Sequence, residues 1–289
     1  MAGTGDLGFN GEGLPAPLAW LYLPSAVLLD AAGRLLIVDY NNMRVRRIEE
    51  GRLVTLVGQG GHAYSTPGVD ALASDLENPV DAAYGPDGLL YVLPAHESRL
   101  IQVDTSGLIQ LVVGTGEEGY TGDGGPALEA TFYQPQGFCF DGQGAIWIAD
   151  TLNGAIRRVA DGVVDTVLTG LGGPQRVRCG HGRVLATDTF SGSIIEFDEQ
   201  SLQYDVVAEG LSYPWAAVPT AAGWIAASSG SHEIWDQDGV VAGTGEAGFS
   251  GDGGPALDAQ LSWPADVCPV DGGFYVADMQ NARVRFVRL

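Results

Sequence analysis

The chain contains no lysine: its fourteen basic residues are all arginine, against 36 acidic residues, for a formal net charge of −22. An isoelectric point near 4.2 argues against nucleic acid and anionic membrane surfaces as partners, because both repel such a surface. Arginine without lysine reads as a compositional bias of the source, in keeping with saline surroundings. No apolar run approaches the roughly 20 residues that span a bilayer as a helix. The apolar stretch 18–29 resembles the core of a secretory leader, but no basic residue precedes it and it aligns with later repeats, so it belongs to the fold. Cysteine is scarce, and Cys139, Cys179 and Cys268 show neither CxxC nor metal-ligand spacing. Each lies in an apolar segment at a comparable place in its repeat, which predicts three small buried hydrophobes. The compartment stays open between the cytoplasm and a mature fragment of an exported protein.

Glycine, at 43 copies, and 15 prolines dominate what is there. Together they fall below the level of low-complexity chains, and a hydrophobic content of 45% supplies a core. Many short strands joined by glycine-rich turns are expected.

Internal repetition sets the architecture. Three segments align without gaps, GTGDLGFNGEGLPA from Gly3, GTGEEGYTGDGGPA from Gly114 and GTGEAGFSGDGGPA from Gly243; a degenerate fourth, GQGGHAYSTPGVDA, starts at Gly58. Each leads to a proline: Pro24, Pro135, Pro264 and Pro79 respectively. After the proline come an apolar strand, a turn of D-x-x-G type, a second strand, and a loop of the form A-D-x-x-N. Two shorter units, led by Pro174 and Pro214, follow the same plan. The leading prolines are between 39 and 56 residues apart, which suits a four-stranded blade of roughly 40 residues with insertions in the longer units. Six units predict an all-β, six-bladed β-propeller over residues 1–289, one domain.

These motifs, GTGxxGYxGDGGPA, the spaced proline and strand–AD–x-x-N–strand, resemble NHL-repeat β-propellers over nearly the whole chain. The match is clearest in blades one, three and six and weakest in blade five, where Ala227 replaces the aspartate. The resemblance implies that each blade's innermost strand lines a central channel, and that insertions and A-D-x-x-N loops share one face. The last unit ends after its third strand, so an atypical closure is expected, with Arg283, Arg285 and Arg288 discouraging aggregation along an exposed edge.

Residues repeated at one structural place read as scaffold. Asp39, Asp150, Asp188 and Asp278 end second strands, and Asn42, Asn153 and Asn281 follow three positions later where such a motif is complete. Side chains of this type satisfy the turn's own amides, and Arg44 and Arg46, Arg157, and Arg283 and Arg285 recur just downstream, within reach of a neighbouring carboxylate. Glu12, Asp123 and Asp252 sit between glycines in the insertions; local turn stabilisation is the first reading, and a calcium site, built from oxygen ligands, is the second. The four histidines, His62, His96, His181 and His232, do not by themselves make a zinc site, which needs three or four converging ligands.

The channel mouth differs from blade to blade and so holds the better ligand-binding candidates. Asp81, Arg176 and Asp266 share one register in blades two, four and six, which sets them about a third of a turn apart around one opening. Gln136, Gln175 and Trp215 lie beside them. Two carboxylates and a guanidinium in a water-filled channel would clamp a polar ligand, hold a cation, or neutralise one another. Two functions follow. One is a non-catalytic binding propeller offering an acidic loop face and channel mouth to a peptide, a protein or a small cationic or polar ligand. The other is a calcium- or zinc-dependent hydrolase or lyase acting at the channel. The family contains a zinc- and calcium-dependent peptide-amidating lyase, but the resemblance here is to the repeat and not to its catalytic histidines. Bare repeats without a catalytic motif favour binding.

Overall fold

The computed structural model describes residues 1–288. It is all-β, with six sheets arranged as blades. Blade one consists of Pro24–Leu29, Leu35–Asp39, Arg44–Glu49 and Arg52–Val57, and each strand pairs antiparallel with the next. Blades two to five repeat the plan from Pro79–Tyr84, Gly137–Phe140, Pro174–Gly180 and Pro214–Pro219 as innermost strands. Among the described residues blade six has Pro264–Val270, Gly273–Asp278 and Arg283–Arg288.

Antiparallel hairpins leave one face of each sheet apolar, and that face must be covered. Here each blade covers its neighbour: six buried clusters, one per blade–blade interface, close the ring. The interface between blades six and one, for example, packs Val284, Ala277 and Ala265 with Val27 and Ile37. Among the described residues no helix is long and apolar enough to cross a membrane.

The insertions fold back on the A-D-x-x-N loops, which puts both on one face. Asn42, Asn153 and Asn281 donate to the carbonyls of Gly8, Gly119 and Gly248, each at 2.7 Å. The first glycine of each insertion is required by space: at Gly58, with φ +98°, a Cβ would sit 2.1 Å from the Met43 carbonyl oxygen. In blades one and three the insertion also adds a two-residue strand, Leu14–Pro15 and Gly125–Pro126, outside the fourth strand.

Three features depart from the sequence reading. Cys139 and Cys179 are not separate hydrophobes; they form a disulfide between the innermost strands of blades three and four, with Cα atoms 5.6 Å apart. Only Cys268 is free. Secondly, the N-terminus takes part in closure: Ala2 exchanges both backbone hydrogen bonds with Val284, at 3.1 and 2.9 Å. Thirdly, Arg283 and Arg285 do not stand on an exposed edge. Arg283 stacks 3.7 Å from the Phe249 ring centroid, and Arg285 is buried against Asp252 and Asp278.

Candidate functional site

The repeated polar residues form a buried frame beneath the loop face. In blade one, Asp39 accepts from the Tyr22 amide at 2.7 Å, the Asn42 side chain at 2.8 Å and Arg46 at 3.2 Å. Asp150 with Asn153 and Arg157, and Asp278 with Asn281 and Arg285, repeat the arrangement. Burial raises the Asp39 carboxyl to about 6 against these hydrogen bonds, and it also raises Asp150 and Asp278. The arginines carry on outward: Arg157 reaches Asp123 at 2.8 Å and Arg285 reaches Asp252 at 2.6 Å. Glu12 instead binds the Thr55 amide and hydroxyl. Each of the three weak metal candidates is therefore engaged by its own blade. Among the described residues no three His, Cys, Asp or Glu side chains converge so as to hold a metal ion. His62 and His96 both approach Glu77, at 3.3 and 3.8 Å, while His232 Nδ1 accepts from the Trp263 amide.

Asp81, Arg176 and Asp266 belong to one cluster across the channel. Arg176 Nη1 lies 3.2 Å from Asp81, and its two terminal nitrogens donate to the Val80 and Ser25 carbonyls, both at 2.9 Å. The residue that completes the cluster is Arg178, two positions along the same strand and hence on the same face. Its guanidinium bridges Asp81 at 2.7 Å and Asp266 at 2.8 Å. The carboxylates also stitch blades together: Asp81 accepts from the Phe138 amide and Asp266 from the Val27 amide. Two charges of each sign cancel. Asp81 and Asp266 are fully buried and Arg176 is 1% exposed, while the Arg178 side chain keeps 16% exposure. Burial draws Arg176 below the usual guanidinium range, whereas for Arg178 the two carboxylates outweigh burial and raise it. The arrangement is a plug that holds blades one, two, three, four and six together. Alternation from Arg176 was the signal in the sequence that would have found Arg178.

The other candidates lie around the opening. The residues flanking the leading prolines include amides in blades two to four (Asn78, Gln134, Gln136, Gln175) and aromatic rings in blades five and six (Tyr213, Trp215, Trp263). Gln175 points its amide at Gln136, 3.5 Å away. Both line a cavity of about 200 Å³ between blades three and four, walled by Gln134, Leu152 and Phe190. From Phe190, 70% exposed, a chain of rings runs through Tyr213 and Trp263 to Trp215, with successive centroids 6.1, 6.0 and 6.0 Å apart. Sequence reasoning had singled out Gln136, Gln175 and Trp215; the aromatic residues just before the prolines were missed.

No family model matches the chain. Human teneurin-1 is 26% identical over an alignment of 303 residues that takes in 99% of this chain but only 9% of that protein's length. Among solved structures, an auxiliary nutrient binding protein from Bacteroides thetaiotaomicron superposes with a TM-score of 0.71 at 12% identity, covering 97% of this chain and 74% of that one. A streptogramin B lyase superposes with a TM-score of 0.61 at 11% identity, covering 96% and 97%. At such identities the likeness is one of fold: this is a six-bladed β-propeller. A single fold here accompanies both a binding protein and a lyase, so function has to be argued from the site.

Proposed function

We propose that the protein is a non-catalytic binding propeller, of the NHL type by its repeats, whose channel mouth takes a small polar ligand with one flat apolar face. The observation that carries this reading is the asymmetric mouth: an aromatic arc in blades four to six faces an amide-lined cavity in blades three and four. Aromatic rings stack on flat apolar faces, and glutamine amides both donate to and accept from hydroxyl or amide groups. A saccharide or a short peptide has that combination, and the acidic surface favours neutral or cationic forms of it. The rival, a metal-dependent hydrolase or lyase in the channel, needs free carboxylates there. Asp81 and Asp266 are engaged by Arg176 and Arg178 instead. The nutrient-binding neighbour supports the reading by analogy of fold alone.

A thermal-shift and tryptophan-fluorescence screen of oligosaccharides, peptides and small amines tests it. A stabilising ligand is expected whose effect is lost in Trp263→Ala and in Gln175→Ala. A ligand whose shift survives both substitutions, or turnover of a screened compound, overturns it.

A further inference from the structure

Blade four presents an uncovered edge. In blades one, two and three the insertion folds back over the outermost strand: Gly13 donates to the Leu53 carbonyl, Gly68 to that of Ile109 and Gly124 to that of Val164, at 3.0, 2.8 and 2.8 Å. Leu53, Ile109 and Val164 are fully buried as a result. The unit led by Pro174 carries no insertion. Its outermost strand is Tyr204–Ala208, where Tyr204 pairs with Phe197 as Leu53 pairs with Ile48. Tyr204 and Val206 are 48% and 52% exposed. The Asp198 amide donates to the Gln203 carbonyl at 3.0 Å to close the hairpin, so alternation turns the amides and carbonyls of Tyr204 and Val206 outward. Among the described residues no strand pairs with that side.

Charge is unbalanced at the same edge. Between Tyr204 and Val206, Asp205 lies directly opposite Glu196. At the equivalent place blade three sets Asp165 against Arg158, and blade one sets Val54 against Arg47. Like charges directly opposite repel. Arg183 meets Glu196 at 2.9 Å, while Asp205 stays exposed, with Glu209 exposed just beyond the strand.

We propose that this edge accepts an extended segment of a partner protein in which one basic residue stands between two apolar ones. The segment adds antiparallel, as the insertions do in blades one and three. Main-chain hydrogen bonds to Tyr204 and Val206 supply affinity, and side chains supply specificity. The apolar residues fall opposite Tyr204 and Val206. The basic residue falls opposite Asp205 in a non-hydrogen-bonded pair, where Cα atoms approach to about 4.5 Å and side chains meet closely. A second copy of the chain fits poorly. Self-pairing centred on Val206 sets Val207, not a cation, opposite Asp205, and it joins two molecules of net charge −22.

The probe is a fluorescein-labelled peptide, STVRVTS, titrated into the whole protein and read by anisotropy. Saturable micromolar binding is expected. Methylating the two valine amides, which face the edge, should abolish it; methylating the arginine amide, which faces away, should not. Val206→Pro removes an outward amide and no hydrogen bond within the blade, so it should keep the parent's circular dichroism and lose the peptide. Should that variant not fold, the methylated peptides test the same bonds on the unaltered protein. Asp205→Arg should weaken binding at least tenfold, and glutamate in place of the peptide's arginine should restore it. No binding, equal response to the two methylations, binding retained by folded Val206→Pro, or a charge effect that the swap does not reverse overturns the proposal. So does a dimer by sedimentation that Val206→Pro dissolves, since the occupant is then a second copy.

Discussion

Replacing Arg178 with methionine tests whether the channel cluster holds the ring together. The substitution keeps much of the side-chain volume and removes one of two positive charges facing Asp81 and Asp266. Asp81 retains Arg176 and the Phe138 amide, but Asp266 is left with the Val27 amide alone, and its Oδ1 already lacks a partner. Leaving a buried charge uncompensated costs about 3–5 kcal/mol. Asp266→Asn in the same chain restores neutrality, so the double variant should recover roughly 2 kcal/mol relative to Arg178→Met alone. Urea unfolding at pH 7, followed through the six tryptophans, reads Arg178→Met, Asp266→Asn and the double variant. Acidification should also rescue Arg178→Met more than the parent, because an unpaired buried carboxylate gains by taking up a proton. A cost for Arg178→Met below about 1 kcal/mol, or additive effects of the two changes, would refute the reasoning.

Three further outcomes are expected. Denatured but unreduced protein should show one reactive thiol rather than three, and Cys139→Ala together with Cys179→Ala should cost about 4 kcal/mol, the loop-closure value for a sequence separation of 40 residues. Three thiols, or no loss of stability, would contradict the disulfide. Burial raises the Asp39, Asp150 and Asp278 carboxyls, so the folded state binds protons more tightly than the unfolded one. Their contribution is therefore greatest below the unfolded value of 3.8 and falls as pH rises through about 6. Melting temperature should be higher at pH 5 than at pH 7, and the reverse order would show that these carboxylates are stabilised as anions. The acidic insertions, carrying Asp6, Glu117, Glu118, Glu246 and Asp258 among others, should make melting temperature rise from low to moderate sodium chloride as repulsion is screened; a flat or falling trend counts against that.

How much was legible follows from the range of the forces concerned. Six blades could be read from Pro24, Pro79, Pro135, Pro174, Pro214 and Pro264 because each unit is built by local rules: two-residue alternation, aspartate-led turns, and glycine where the backbone passes close to a neighbour. The shared register of Asp81, Arg176 and Asp266 was visible for the same reason, since equivalent positions in repeats circle one axis. Their environment was not. Arg178 meets Asp81 and Asp266 across 97 and 88 residues of sequence, and only closure of the ring gathers these side chains into one charge-neutral, largely buried cluster. Cys139 and Cys179 pair because adjacent innermost strands bring their Cα atoms within 5.6 Å, a distance set by blade packing and not by spacing. The aromatic arc likewise draws on blades four, five and six. Local chemistry determined the blade; the circle of blades, each covering the apolar face of the next, decided which side chains meet at its centre.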